Sequence, residues 1–104
     1  HYPNTKEVVK AFEERLSKVS KNIGVYELGN RLKNVIKVGR ADNLQSRLHD
    51  YRRQNSKGQV GKKAKYFRVE VTKSRQRSKQ RERALLRKYR KKHGELPEFN
   101  HHIG

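Results

Sequence analysis

The stretch Ile23-Gly24-Val25-Tyr26-Glu27-Leu28-Gly29-Asn30-Arg31-Leu32-Lys33-Asn34-Val35-Ile36-Lys37-Val38-Gly39 decides the fold. Two short runs rich in β-branched and aromatic residues flank a polar centre that contains Gly29, Asn30 and Asn34, residues that favour turns. A β-hairpin is predicted, with strands over Ile23–Leu28 and Val35–Gly39. Working outward, the period changes after Gly39. Leu44, Leu48 and Tyr51 fall at i, i+4 and i+7, so a helix is predicted from Leu44 to Gln54 with Asp42 as its cap.

Beyond that helix, Asn55 to Lys63 carries Gly58 and Gly61 among lysines and reads as a mobile basic loop. Lys65 to Thr72 alternates strictly, which places Phe67, Val69 and Val71 on one face of a third strand. A long basic helix follows from Ser74 to Lys92 with Leu85, Leu86 and Tyr89 as its apolar stripe; Gly94 ends it and Pro97 prevents its resumption. Upstream, Asn4 and Glu7 form a capping-box pattern ahead of Val9, Phe12, Leu16 and Val19, so a first helix is expected over Thr5–Val19. The expected architecture is α/β of the α+β type: a small, central, mainly antiparallel three-stranded sheet flanked by helices.

Composition narrows the partner. The 104 residues suit one small domain, and the 31% of apolar residues makes a thin core. With 28 Lys and Arg against 10 Asp and Glu, the net charge is +18, and such a charge repels itself until a polyanion neutralises it. Nucleic acid is the expected partner. The longest apolar runs are pairs and triplets, far below the roughly 20 residues of a spanning helix. The absence of cysteine removes disulfides and thiolate zinc sites, so an intracellular setting, cytoplasm or nucleoid, is expected.

One carboxylate stands out. Glu82 is the only acid between Val71 and Gly94, and it precedes Leu85, Leu86 and Tyr89 by three, four and seven residues. That spacing puts it on the stripe that packs against the sheet, not on the solvent face. A carboxylate there needs an Arg, a hydroxyl or a bound cation as partner. Spacing alone favours an Arg ion pair.

Gly24-Val25-Tyr26, ten intervening residues, Lys37-Val38-Gly39 and then Arg47 resemble the signature of the GIY-YIG endonuclease superfamily. Gly39-Arg40-Ala41-Asp42-Asn43-Leu44-Gln45-Ser46-Arg47-Leu48 is the most specific part. Glu82-Arg83-Ala84-Leu85-Leu86-Arg87-Lys88-Tyr89 and Pro97-Glu98-Phe99-Asn100 are similar to the family's metal-binding helix and terminal Pro-x-x-Asn element. The resemblance divides the chain into an N-terminal helix and lead-in over 1–22, a GIY-YIG-like nuclease domain over 23–100 and a tail over 101–104.

The resemblance implies roles residue by residue. Tyr26 is the phenol beside the attacking water, Arg47 the cation on the scissile phosphate, Glu82 the one protein ligand to Mg²⁺ or Mn²⁺, and Asn100 a buttress, with Gly24 and Gly39 allowing close approach of backbone. The tyrosine usual in the second motif is Lys37 here, and a lysine amine in that place is expected to take the water's proton or help orient a tyrosinate. His49, next to Leu48, is expected to assist at phosphate; His101 and His102 belong to the tail. Arg40, Arg52, Arg53, Lys57, Lys62, Lys63, Arg75, Arg77, Lys79 and Arg81 form the expected phosphate track.

The function implied is metal-dependent hydrolysis of phosphodiester bonds in DNA, with RNA as the second candidate. The alternative is a nucleic-acid-binding module that keeps the fold without turnover, which Lys37 supports. With the nuclease core filling the chain, selectivity is expected from substrate structure, from a homodimer or from a recruiting protein.

Overall fold

The structure, a computed structural model, describes residues 12–53 and 58–103. Its elements run in the order β1 (Gly24–Gly29), β2 (Val35–Ala41), α1 (Leu44–Arg52), α2 (Gly58–Lys63), β3 (Tyr66–Val71) and α3 (Arg75–His93), preceded by a helical segment at 12–16. The expected first helix is thus present over its C-terminal part, while Val9 and the Asn4–Glu7 capping pattern lie outside the described residues. Among the described residues no helix is long and apolar enough to cross a membrane.

The hairpin forms as the sequence requires. Asn30 Oδ1 accepts the N–H groups of Leu32 and Asn34, each at 3.0 Å, so a single side chain closes the turn. Lys33 takes the left-handed conformation that the reversal needs, at φ 66°. The sheet is antiparallel throughout, in the order β2-β1-β3. Register sets the two faces. Tyr26 pairs with Gly39 and Val69, and Leu28 with Lys37 and Phe67, so these residues share one face; Val25, Glu27, Val38 and Arg40 take the other.

The first face carries the main core. Leu44, Leu48 and Tyr51 of α1 and Phe12, Leu16 and Val19 pack with Tyr26, Leu28 and Phe67. Phe12 meets Phe67 edge to face, with ring centroids 4.8 Å apart. The opposite face is covered by α3, whose Leu86 is buried while Leu85 and Tyr89 are half-buried. Ser74 caps α3 by accepting the Arg77 N–H, and Gly94 at φ 80° ends it.

Several boundaries differ from the sequence expectation. Residues 58–63 of the expected loop form α2, and 54–57 lie outside the described residues. The cap of α1 is Asn43, whose side chain accepts from Ser46 N at 3.0 Å; Asp42 is instead bridged by Arg75. Helix α1 stops at Arg52. Val69 and Val71 share the face of Phe67 but remain exposed, because β3 is an edge strand and Phe67 alone reaches the core.

The opposite edge, β2, is closed by the chain's C-terminal segment. Phe99 N–H donates to Ile36 O at 2.9 Å, and the Asn100 amide both accepts from Val38 N (2.8 Å) and donates to Val38 O (2.9 Å). One side chain therefore supplies the bonds that a neighbouring strand residue would make.

One polar atom in this frame is misplaced. The phenol oxygen of Tyr66 is buried and has no hydrogen-bond partner among the described residues. Because an unsatisfied buried hydroxyl costs stability, Tyr66→Phe is expected to stabilise the fold by about 1 kcal/mol in chemical denaturation. A loss of similar size would show that the hydroxyl has a partner.

Candidate active site

The register pair Tyr26–Gly39 builds the site. The Tyr26 ring lies across β2 where Gly39 has no side chain; a Cβ there would overlap the phenol oxygen and ring. Only glycine leaves room. The phenol so placed is 2% exposed and reaches Tyr51 of α1, with the two hydroxyl oxygens 2.9 Å apart. Burial, followed by the contact with Tyr51, pushes the Tyr26 phenol well above the ordinary tyrosine range, while the neighbouring Arg47 guanidinium pulls it down and does not prevail. Tyr26 is therefore a neutral hydroxyl at physiological pH.

A cleft of about 510 Å³ opens over this phenol, lined from the sheet by Tyr26, Lys37, Gly39, Arg40 and Ala41, from α1 and its approach by Asp42, Asn43, Ser46, Arg47, Asp50 and Tyr51, and from α3 by Glu82. Arg47 comes from α1, one turn after the Asn43 cap, and its Nη1 donates to Arg40 O at 3.4 Å. Lys37 is half-buried on the Tyr26 face of β2, and its Nζ donates to Phe99 O at 3.4 Å. Asn100 does not line the cleft. It acts through backbone, holding Val38 next to Lys37 and keeping the Phe99 carbonyl in reach of the amine.

Glu82 enters from α3 around the β2 edge. Its side chain is 18% exposed, and its Oε1 lies 3.8 Å from Arg40 Nε. That is an ion pair by charge but too long for a hydrogen bond. The Arg partner expected from spacing is present, yet among the described residues no donor hydrogen-bonds the carboxylate. Contrast Arg75, which grips Asp42 through two bonds of 3.2 and 2.9 Å, and Arg81, which holds Glu70 at 3.1 and 3.0 Å. Glu82 is thus a half-buried carboxylate without a hydrogen-bond donor among the described residues, in a cleft whose lining also carries Lys37, Arg40, Arg47, Asp42 and Asp50. Such a group fits a hard divalent cation, which keeps most of its waters and needs only one or two protein carboxylates. No cluster of three or more His, Cys, Asp or Glu suited to a metal occurs among the described residues.

Other expected residues fall elsewhere. Gly24 lies beneath the cleft, where a Cβ would strike the Glu70 carbonyl and Leu44; its role is close packing of β1 on β3 and α1. His49 is exposed on α1 and does not line the cleft. Of the expected phosphate track, Arg40 borders the cleft, Arg52 pairs with Glu13, Arg53 with Asp50 and Lys63 with Glu98, while Lys62, Arg77 and Lys79 are exposed; Lys57 lies outside the described residues. Sequence reasoning missed Tyr51, which it absorbed into the apolar stripe of α1. Its signal was available: a phenol four residues after Arg47 on a buried stripe needs a polar partner.

An antiparallel three-stranded sheet with a tyrosine, an arginine and a glutamate converging at one edge defines a GIY-YIG domain. More narrowly, the UvrC-like GIY-YIG domain profile matches residues 22–100, and the chain belongs to that family. Solved structures agree in fold. The GIY-YIG N-terminal endonuclease domain of UvrC from Thermotoga maritima, bound to its catalytic divalent cation, magnesium, superimposes with a TM-score of 0.70 at 22% identity, covering 88% of this chain and 98% of that chain. A tyrosine-to-phenylalanine and an asparagine-to-alanine point mutant of the same domain, each bound to the catalytic divalent cation, give 0.71 at 21% identity, covering 89% and 98%. No curated protein sequence matches the chain.

The Gly39–Tyr26 contact yields a test. Gly39→Ala is expected to destabilise the fold by about 1–3 kcal/mol through overpacking. In a Tyr26→Ala background the same change should cost far less, since the ring it strikes is gone. Equal costs in both backgrounds, measured by chemical denaturation, would deny the contact.

Proposed function

We propose that the chain is a divalent-metal-dependent endonuclease that hydrolyses phosphodiester bonds in DNA. The observation that carries this is the Glu82 carboxylate, half-buried and without a hydrogen-bond donor among the described residues, in the cleft that also holds Tyr26, Lys37 and Arg47. Hydrolysis needs an oriented, deprotonated water, charge relief on the phosphoryl oxygens and a route for the leaving alkoxide. Arg47 offers planar donors matched to phosphate oxygens. Tyr26, neutral, orients the water through its hydroxyl, with Tyr51 fixing the direction of that hydroxyl. Lys37, in its neutral amine form, takes the proton on the Nζ lone pair while an N–H of the same amine donates to the Phe99 carbonyl. Glu82 would hold the cation, which when bound supplies Lewis-acid stabilisation of the developing charge.

A pure binder of DNA or RNA is the second reading, favoured by Lys37 in place of the family's usual tyrosine. Against it stands Glu82: an acid facing a phosphate groove weakens binding and helps only a site that also takes a cation.

Glu82→Gln is expected to reduce nicking of supercoiled plasmid to background at any Mg²⁺ or Mn²⁺ concentration, as EDTA should with the parent, while DNA binding persists or tightens. A variant that melts early yet whose folded fraction cuts at the parent rate would make Glu82 structural. Lys37→Met should lower turnover about 100-fold with little change in substrate affinity. Unchanged turnover would reduce Lys37 to a polar strand residue, whereas activity in Lys37→Tyr would show that two side chains fill one role.

A further inference from the structure

Glu82 meets the catalytic cleft near the middle of α3. Along the same helix a second groove runs from β3 to the hairpin end, made of three adjoining hollows. The first, of about 440 Å³, lies between Glu70–Thr72 and Arg77; it shares Glu70 and Arg81 with a second of about 210 Å³ over Val25. That one shares Glu27, Arg68 and Leu85 with a third of about 360 Å³ at the hairpin end, where Lys33, Lys88, Tyr89, Lys92 and His93 gather. None of these cationic or aromatic end residues belongs to the catalytic cleft.

The groove's charge is one-sided. Its two carboxylates, Glu27 and Glu70, are already held by Arg68 and Arg81, each at 3.0 Å. Lys33, Lys88 and Lys92 have no carboxylate partner among the described residues. At the same end His93 stacks on Tyr89, with ring centroids 4.1 Å apart and planes 33° from parallel. Tyr89 is half-buried and His93 exposed, so the imidazole presents its outer face, backed by the phenol ring. Three lysines around an outward π-face make a site for an anionic chain that also carries flat rings.

We propose that this groove binds a single nucleic-acid strand, one base stacked on His93 and neighbouring phosphates on Lys33, Lys88 and Lys92. The proposal extends the nuclease reading by naming a strand held apart from the cleaved bond. Tyr89 follows Glu82 by seven residues, about 10 Å along the helix. A strand in this groove and a scissile bond in the cleft are therefore about two helical turns apart along α3, which suits a substrate where duplex meets single strand. An acidic peptide would satisfy the lysines but leave the stacked rings without use.

The test uses the full chain in EDTA, so that nothing is cut, with a labelled oligothymidylate of about 15 nucleotides and a blunt duplex read by fluorescence anisotropy. His93→Ala is expected to weaken oligothymidylate binding about fivefold or more, with His93→Phe restoring it and blunt-duplex binding changed less. Lys88→Ala with Lys92→Ala should make the log-log salt dependence shallower by about 1.4 on the single strand. If these variants keep their melting temperature and bind oligothymidylate with parent affinity and salt slope, the groove assignment is wrong, while duplex binding and cleavage by the parent would leave the nuclease proposal intact. A parent that binds no nucleic acid overturns both. Polyglutamate that displaces the oligonucleotide as well as unlabelled oligothymidylate does, with no effect of His93→Ala, would assign the surface to an acidic peptide instead.

Discussion

The contact on which the site depends is that between the Tyr26 ring and the bare backbone of Gly39. Directly opposite residues in an antiparallel pair compete for the same space above the sheet, and a glycine resolves the competition by withdrawing. Tyr26 then lies down across β2 instead of standing up from β1. From there its hydroxyl meets Tyr51, and the cleft that Lys37, Arg47 and Glu82 line has a floor. A methyl group at position 39 would lift the ring and move that floor. The same contact buries the phenol, and burial is the main cause that keeps it neutral.

The charge of +18 gives this arrangement its electrostatic meaning. Most acids are closely matched: Glu70 by Arg81, Glu27 by Arg68 and Glu98 by Lys63 away from the cleft, and Asp42 by Arg75 on its wall. These exposed pairs contribute little stability each. Their effect is to silence the few acids that would compete with a polyanion. Glu82 is treated differently, since its nearest cation stays at 3.8 Å and gives it no hydrogen bond. In a chain where cations are abundant and most acids are gripped, this loosely held carboxylate at the rim of a core is what supports the proposed cation site.

The fold was legible wherever a local signal was sufficient. Alternation in Tyr66–Val71, the turn residues at Asn30 and Asn34, and the Ser74 and Gly94 caps of α3 each act within a few residues, and each element formed where its signal lay. The boundary of α1 was ambiguous because Asp42 and Asn43 are both good caps; what decides is Arg75, 33 residues away, which removes Asp42 from the competition. α2 was illegible because two glycines in a short lysine-rich stretch carry a turn signal, and Val60 and Ala64, which pack on the main core, hold the helix by tertiary contact. Of the expected site residues, Tyr26, Lys37, Arg47 and Glu82 line one cleft, but Tyr51 was hidden by its apolar neighbours. Its polarity matters only because Tyr26 lies down toward it.

Lys37 shows how a change in one side chain is supported by the rest of the chain. A lysine on the inner face of an edge strand, beside a buried phenol, pays for desolvation unless an acceptor meets its amine. Here the acceptor is the Phe99 carbonyl, at 3.4 Å. That carbonyl is in place because Phe99 N–H bonds Ile36 O and the Asn100 amide bonds both backbone groups of Val38, so the two residues flanking Lys37 on β2 fix the segment that steadies it. The amine and its acceptor are therefore carried on one rigid edge. A C-terminal element that closes β2 as a ladder thereby also sets the direction of the one side chain by which this chain departs from its family's motif.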